Sequence, residues 1–149
     1  MTIVVGSDHA GFTHKEALKS MLVDQGYTVV DVGAFSADRV DYPDFGVAAA
    51  RLIAHGVADY GVLVCGSGIG ISIAANKIDG IRAVNAHDPD EAEMSRRHND
   101  ANVLTLAGRR LVPADAAPIV QRFLATDFEG GRHERRVEEI AAVERGEEL

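Results

Sequence analysis

The sequence has one cysteine among 149 residues, which excludes an intrachain disulfide framework and leaves a lone thiol that is either an inert core residue or a reactive group. Positive charge is also scarce. Lys+Arg 15 against Asp+Glu 23 gives a formal net charge of -8, which opposes general attraction to nucleic acid or an anionic membrane surface. Any anionic ligand must therefore meet a local cluster of cations. No apolar run approaches about 18 residues, and the opening MTIVVGSDHAG has no basic segment before its short apolar stretch. Neither a membrane span nor a secretory leader is expected, and the cytoplasm is the expected location. The six histidines show no HExxH or Cys-His ligand spacing, so no metal site is expected. Two nucleotide motifs are missing as well: no Gly-Lys-Ser/Thr ends a phosphate loop, and the dinucleotide pattern needs glycine where Ile71 stands.

What is present is 46% hydrophobic residues, enough for one domain over residues 1–149 with its own core. Short β-branched runs alternate with stretches of helical period, the pattern of parallel strands joined by helical crossovers. Strands are predicted at Ile3 to Gly6, Thr28 to Val32, Tyr60 to Cys65, Ile81 to Val84 and Val103 to Ala107. Between them, Ala17, Leu18, Met21 and Leu22 recur at helical spacing before Gly26, and residues 33–43 read as a loop. Further helices are predicted at Val47 to Ile53, over the ISIAANK segment, from Glu91 to Arg97 and from Ala114 to Leu124 after Pro113. A charged helix from about His133 to Glu144 follows, with a narrow apolar stripe of Val137, Ile140, Ala141 and Val143 that packs on a partner subunit or caps its own domain. The expected fold is α/β: a three-layer, Rossmann-like arrangement with a five-stranded parallel sheet and an extra C-terminal helix.

In such a sheet the loops at the carboxyl ends of the strands face one crevice. Those positions hold Ser7-Asp8-His9, Cys65 with Gly66-Ser67-Gly68-Ile69-Gly70, Asn85-Ala86-His87-Asp88, and Gly108-Arg109-Arg110. The glycine turn brings successive N–H groups toward a ligand at a helix start, which makes a phosphate or oxyanion cradle; plain strand-helix packing is the alternative. Cys65 precedes that turn, where nearby positive potential favours a thiolate able to remove a carbon-bound proton, or else it is a buried structural residue. Ser67 is a turn residue or an assisting hydroxyl. His98 and Asn99 lie at a helix end and either reach the crevice or simply cap the helix. Arg132 and Arg136 share a helix face by i, i+4 spacing, so they are either a solvated charged face or a clamp for a phosphate.

The segments GSDHAGF, DYPDF, VLVCGSGIGISIAANKIDGIRA, RRHNDANVL and FEGGRHERRV occur in this order from residue 3 to about 143. Together they resemble ribose-5-phosphate isomerase of the type B family, which also includes allose- and galactose-phosphate isomerases. The resemblance implies an aldose-ketose isomerase that needs no cofactor or metal, with Cys65 as base and Gly66 to Gly70 holding an enediolate oxygen. It implies that His98 opens the sugar ring and that Asp8, His9, Tyr42, Asn99, Arg109, Arg132 and Arg136 bind the substrate, the arginines taking the phosphate. Ser67 stands where the family commonly has Thr, which keeps the hydroxyl. Members lacking the cysteine use a carboxylate near the position where this chain has Ala74 and Ala75, so Cys65 has no evident substitute. Family members are dimers or tetramers with sites at a subunit interface, so a homo-oligomer with no nucleic-acid or membrane partner is implied. A tetrose phosphate, allose 6-phosphate or galactose 6-phosphate remains an alternative substrate, and a non-catalytic sensor of phosphorylated metabolites is a second class of function.

Overall fold

Five parallel strands form one sheet in the computed structural model, which describes residues 1–149. In chain order the elements are β1 (Thr2–Ser7), α1 (Phe12–Asp24), β2 (Thr28–Asp31), α2 (Tyr42–Ala54), β3 (Tyr60–Cys65) and α3 (Ile69–Ala75). They continue with β4 (Ala83–Asn85), α4 (Pro89–Asn99), β5 (Val103–Ala107), α5 (Pro113–Leu124) and α6 (Arg132–Glu144). The strand order is β2-β1-β3-β5-β4, and every neighbouring pair is parallel. The expected α/β architecture, with its helix-covered parallel sheet and extra C-terminal helix, is the observed one.

The sheet is buried on both faces, which is why its strands read as nearly continuous apolar runs. Alternate residues serve opposite layers. Ile3, Val5, Val62, Val64, Leu104 and Leu106 point toward Leu18, Leu22, Ile119 and Phe123 of α1 and α5. Val4, Leu63 and Cys65 point the other way, toward Ala49 and Ala50 of α2 and Ile71 and Ala75 of α3. Each large side chain at 0–1% exposure, such as Leu22 or Phe123, contributes roughly 1.5–3 kcal/mol by leaving water. The same alternation puts Cys65, the last residue of β3, on the side where α3 begins.

Among the element boundaries that differ from the sequence reading, three have a plain local cause. Helix α2 starts at Tyr42 rather than Val47, because extended Asp41 precedes it and Pro43 sits in its first turn, where a missing N–H costs nothing. Helix α4 starts at Pro89 rather than Glu91, with the Asp88 side chain accepting the Glu91 N–H at 2.8 Å. Strand β4 covers Ala83–Asn85 rather than residues 81–84: the Arg82 N–H is taken by the Asn102 side chain at 2.9 Å instead of by a ladder partner.

Candidate active site

Strands β1 and β3 lie side by side while their outgoing connections diverge, so their carboxyl ends open a crevice. Gly11, at the start of α1, makes the packing there possible: a Cβ at this position would lie 2.3 Å from the Val64 carbonyl oxygen. The resulting cleft, of about 440 Å³, is lined by Asp8, Tyr42, Cys65, Gly66, Ser67, Ile69, Gly70, Ile73 and Arg109. A larger depression of about 590 Å³ lies elsewhere, between β4 and α6, and apart from Asn99 it holds none of the expected site residues.

Cys65 forms the floor of the cleft at 3% exposure, and its Sγ accepts the Gly68 N–H at 3.2 Å. Gly68 has φ +74, and a Cβ there would stand 2.2 Å from Asn85 Oδ1, so the turn requires glycine. The Ile69 N–H is donated to Ser67 Oγ at 3.2 Å. From behind, the Asn85 amide donates to the Ser67 carbonyl at 3.1 Å, and the Thr105 hydroxyl donates to the Gly68 carbonyl at 2.9 Å. The walls are equally close-fitting. The Tyr42 ring lies against Gly70, and the Arg109 guanidinium lies against Gly66, where a Cβ would meet Nη1 at 3.1 Å. Buried Asp8 lines the cleft and accepts the Gly11 N–H at 3.0 Å. His9 Nδ1 lies 3.1 Å from the Val40 carbonyl oxygen and 3.3 Å from the Val40 nitrogen, so in either tautomer it braces the β2–α2 loop.

A charge network fixes the same loop. Lys15 is fully buried, and its Nζ lies 2.6 Å from Glu16 and 2.7 Å from Asp31. The second Asp31 oxygen accepts the Gly33 N–H at 2.9 Å, while Gly33 and Ala34 exchange backbone hydrogen bonds with Ser7 at 2.7 and 2.8 Å. Burial pushes the Asp31 carboxyl up, but hydrogen bonds from Lys15, Lys19 and Gly33 outweigh it and hold the group below its usual range. Hydrogen bonds from Lys15 and Lys19 also lower the Glu16 carboxyl.

His98, Asn99, Arg132 and Arg136 do not join Cys65 within one chain. His98 ends α4, stacked on His133 of α6 with ring centroids 4.2 Å apart, and its Nε2 lies 4.0 Å from Glu129. Buried Arg96 holds this region together: it donates to Asp100, to the Ala101 and Thr126 carbonyls and to the Tyr60 hydroxyl at 2.6–3.1 Å. The Arg97 hydrogen bond holds the Glu129 carboxyl below its usual range, and burial, then the neighbouring His98 and Arg132, hold His133 below the usual histidine value. Arg132 and Arg136 are exposed on the first turns of α6. Ring nitrogens of His98 and His133 and a Glu129 oxygen lie within 4.8 Å of one another. The two rings are nearly parallel, 11° apart, so their lone pairs run side by side rather than converging on one ion, and Arg97 and Arg132 add positive charge.

Sequence reading did not single out Lys15, Thr105, Glu129 or His133. Two of them left a signal: Thr105 is the one polar residue in the apolar run VLTLA, and Lys15 shares a helical face with Leu18 and Leu22.

A model of the Ribose/Galactose Isomerase family matches residues 3–140. The chain is 46% identical over 142 residues to ribose-5-phosphate isomerase B of Escherichia coli, covering 95% of each protein. Among solved structures it is similar to ribose-5-phosphate isomerase B of Clostridium thermocellum, with a TM-score of 0.96 at 44% identity, covering 98% of this chain and 99% of that one. It is also similar to ribose-5-phosphate isomerase B of Mycoplasma genitalium with bound ribulose-5-phosphate, with a TM-score of 0.91 at 37% identity, covering 97% of this chain and 96% of that one.

Proposed function

The chain belongs to the ribose/galactose isomerase family and is an aldose-ketose isomerase, and on that premise we propose that it interconverts ribose 5-phosphate and ribulose 5-phosphate with Cys65 as its base. The observation that carries the assignment of the base is the Gly68 N–H directed at Cys65 Sγ on the floor of the cleft. That contact holds the sulfur facing the cleft, within reach of a bound sugar. His98 protonates the ring oxygen and assists deprotonation of the anomeric hydroxyl, giving the open aldose. The thiolate then removes the C2 proton, the electron pair moves into a C1–C2 double bond, and the C1 oxygen takes the charge of a cis-enediolate. Loop N–H groups hold that oxygen, with the Ser67 hydroxyl beside them; the C2 hydroxyl proton passes to the C1 oxygen, and the thiol delivers a proton to C1 as the C2 oxygen becomes the ketone. Asp8, His9, Tyr42 and Asn99 hold the sugar. The phosphate is unchanged, so its contacts with Arg109, Arg132 and Arg136 serve to fix a short, flexible chain in reacting geometry.

His98, Asn99, Arg132 and Arg136 belong, in this proposal, to the site of a second copy of the chain, so that each cleft is completed across a subunit interface. Support comes from the separation of the two residue groups and from exposed apolar side chains near both. Ile69 and Ile73 flank the cleft at 57% and 56% exposure, and Ile140 and Val143 stand out on α6 at 45% and 55%. Residues 1–149 then act as one isomerase domain in at least a homodimer, with α6 at the interface. The proposed location is the cytoplasm; no helix is long and apolar enough to cross a membrane.

The test is turnover of ribose 5-phosphate by purified protein with chelator present, beside Cys65→Ser and a panel of tetrose and hexose phosphates. Turnover of the pentose phosphate that Cys65→Ser loses while still binding substrate is expected. Turnover of another sugar phosphate alone would change the substrate, and turnover of none would move a metabolite sensor to first place.

A further inference from the structure

The glycine turn does not hold its own shape: two side chains from neighbouring strands grip it from behind. We propose that Asn85 and Thr105 are positioning residues that set the Gly68 and Ile69 N–H groups toward Cys65 and the cleft. This inference rests on the reading of Cys65 as the base and extends it to residues outside the cleft.

A trans peptide carries its C=O and N–H on opposite edges of one plane, so fixing the carbonyl fixes the direction of the next N–H. Asn85 Nδ2 donates to the Ser67 carbonyl at 3.1 Å, and across that same peptide the Gly68 N–H reaches Cys65 Sγ at 3.2 Å. Thr105 Oγ1 donates to the Gly68 carbonyl at 2.9 Å, and across that peptide the Ile69 N–H points to Ser67 Oγ at 3.2 Å, at the cleft wall. Each pin thus sets one N–H. The orientation of the Asn85 amide is dictated by its partner, because the reversed amide would set its oxygen against the Ser67 carbonyl. The remaining oxygen is buried without a hydrogen-bond partner and faces the Gly68 backbone, where only glycine leaves room. Leaving a buried amide oxygen unpaired is costly, so the amide is not placed there for its own hydrogen bonding. Thr105 is likewise fully buried within β5, where valine would fit the same space without a donor.

The experiment compares full-length wild type with Asn85→Leu and Thr105→Val, which keep bulk and remove the donor, and with Thr105→Ser, which keeps the hydroxyl. Iodoacetamide labelling of Cys65 is followed across pH, together with kcat, KM and thermal unfolding. Asn85→Leu is expected to label about tenfold more slowly at neutral pH, the factor that one hydrogen bond to a charged group is worth. Thr105→Val, whose pin sets the Ile69 N–H at the cleft wall, is expected to leave the labelling profile in place and to lower kcat with little change in KM, while Thr105→Ser follows wild type. If Asn85→Leu does not fold, Asn85→Ser, too short to reach the Ser67 carbonyl, supplies the reading. A folded Asn85→Leu that labels like wild type, or a folded Thr105→Val with wild-type kcat, would overturn the proposal, as would a Thr105→Ser that behaves like Thr105→Val. Retained turnover in Cys65→Ser would instead count against the base assignment, and the Asn85→Leu labelling and Thr105→Val kinetics would report on the two pins separately from it.

Discussion

Mixing two inactive variants discriminates a site shared between chains from one built within a chain. Cys65→Ser removes the proposed base from the cleft, and His98→Ala removes the proposed ring-opening group near the end of α4. Loss of a general acid-base group costs about 10²–10⁴ in rate, so each pure variant is expected to keep at most about 1% of wild-type turnover. Cys65 and His98 lie on different depressions of one chain, the cleft on the α3 side and a hollow formed with Asn85, His87 and Met94. If each site takes Cys65 from one copy and His98 from the other, a mixed dimer has one site with both groups intact and one with neither. Random re-pairing of equal amounts makes about half the dimers mixed, so about one quarter of wild-type turnover per chain is expected to return. The assay is conversion of ribose 5-phosphate after joint denaturation and refolding, beside each variant refolded alone. A mixture no more active than its components, in refolded and associated protein, would refute the shared site.

Gly68→Ala is expected to lower the melting temperature and abolish turnover, since the new Cβ falls on Asn85 Oδ1 and the Leu106 backbone at a φ that L-residues avoid; thermal unfolding and kinetics check it. Lys15→Met is expected to destabilise by about 2–3 kcal/mol at pH 7, less than the 3–5 of a wholly buried pair because Lys19 stays on Asp31. Since Asp31 and Glu16 have lowered values in the folded state, the stability they contribute is present above about pH 4 and lost as pH falls through those lower values. Denaturant unfolding of the two proteins should therefore differ at pH 7 and converge below about pH 4. The lowered value of His133 has a matching consequence: the unfolded chain takes up a proton near pH 6.5 that the folded chain resists, so stability falls as pH drops below that point. His133→Asn is expected to flatten that part of the pH-stability curve.

The sheet was legible because its strands are buried on both faces, so burial alone made Tyr60 to Cys65 and Val103 to Ala107 stand out as apolar runs. Helix starts were harder. Tyr42 and Pro43 carry turn composition, yet Pro is comfortable in a first helical turn, and nothing local distinguishes the two uses. The cleft side of the site was readable since Asp8, Cys65 and Arg109 all follow strands. Interactions across the sheet were not: Lys15 meets Asp31 and Thr105 meets Gly68 through pairings that only the strand order creates. The division of His98, Asn99, Arg132 and Arg136 from the cleft was equally hidden, because the packing of α6 beside α4 depends on tertiary contacts such as the stack of His98 on His133.

Proton exchange at C2 tests the role of Cys65 most directly. Wild type and Cys65→Ser are incubated with ribose 5-phosphate in D2O, and the C2 proton signal is followed by NMR together with substrate binding. Loss of that signal with wild type, and none beyond background in a Cys65→Ser protein that still binds the sugar phosphate, is the expected result. Exchange at a comparable rate in Cys65→Ser would place the base elsewhere and contradict the mechanism.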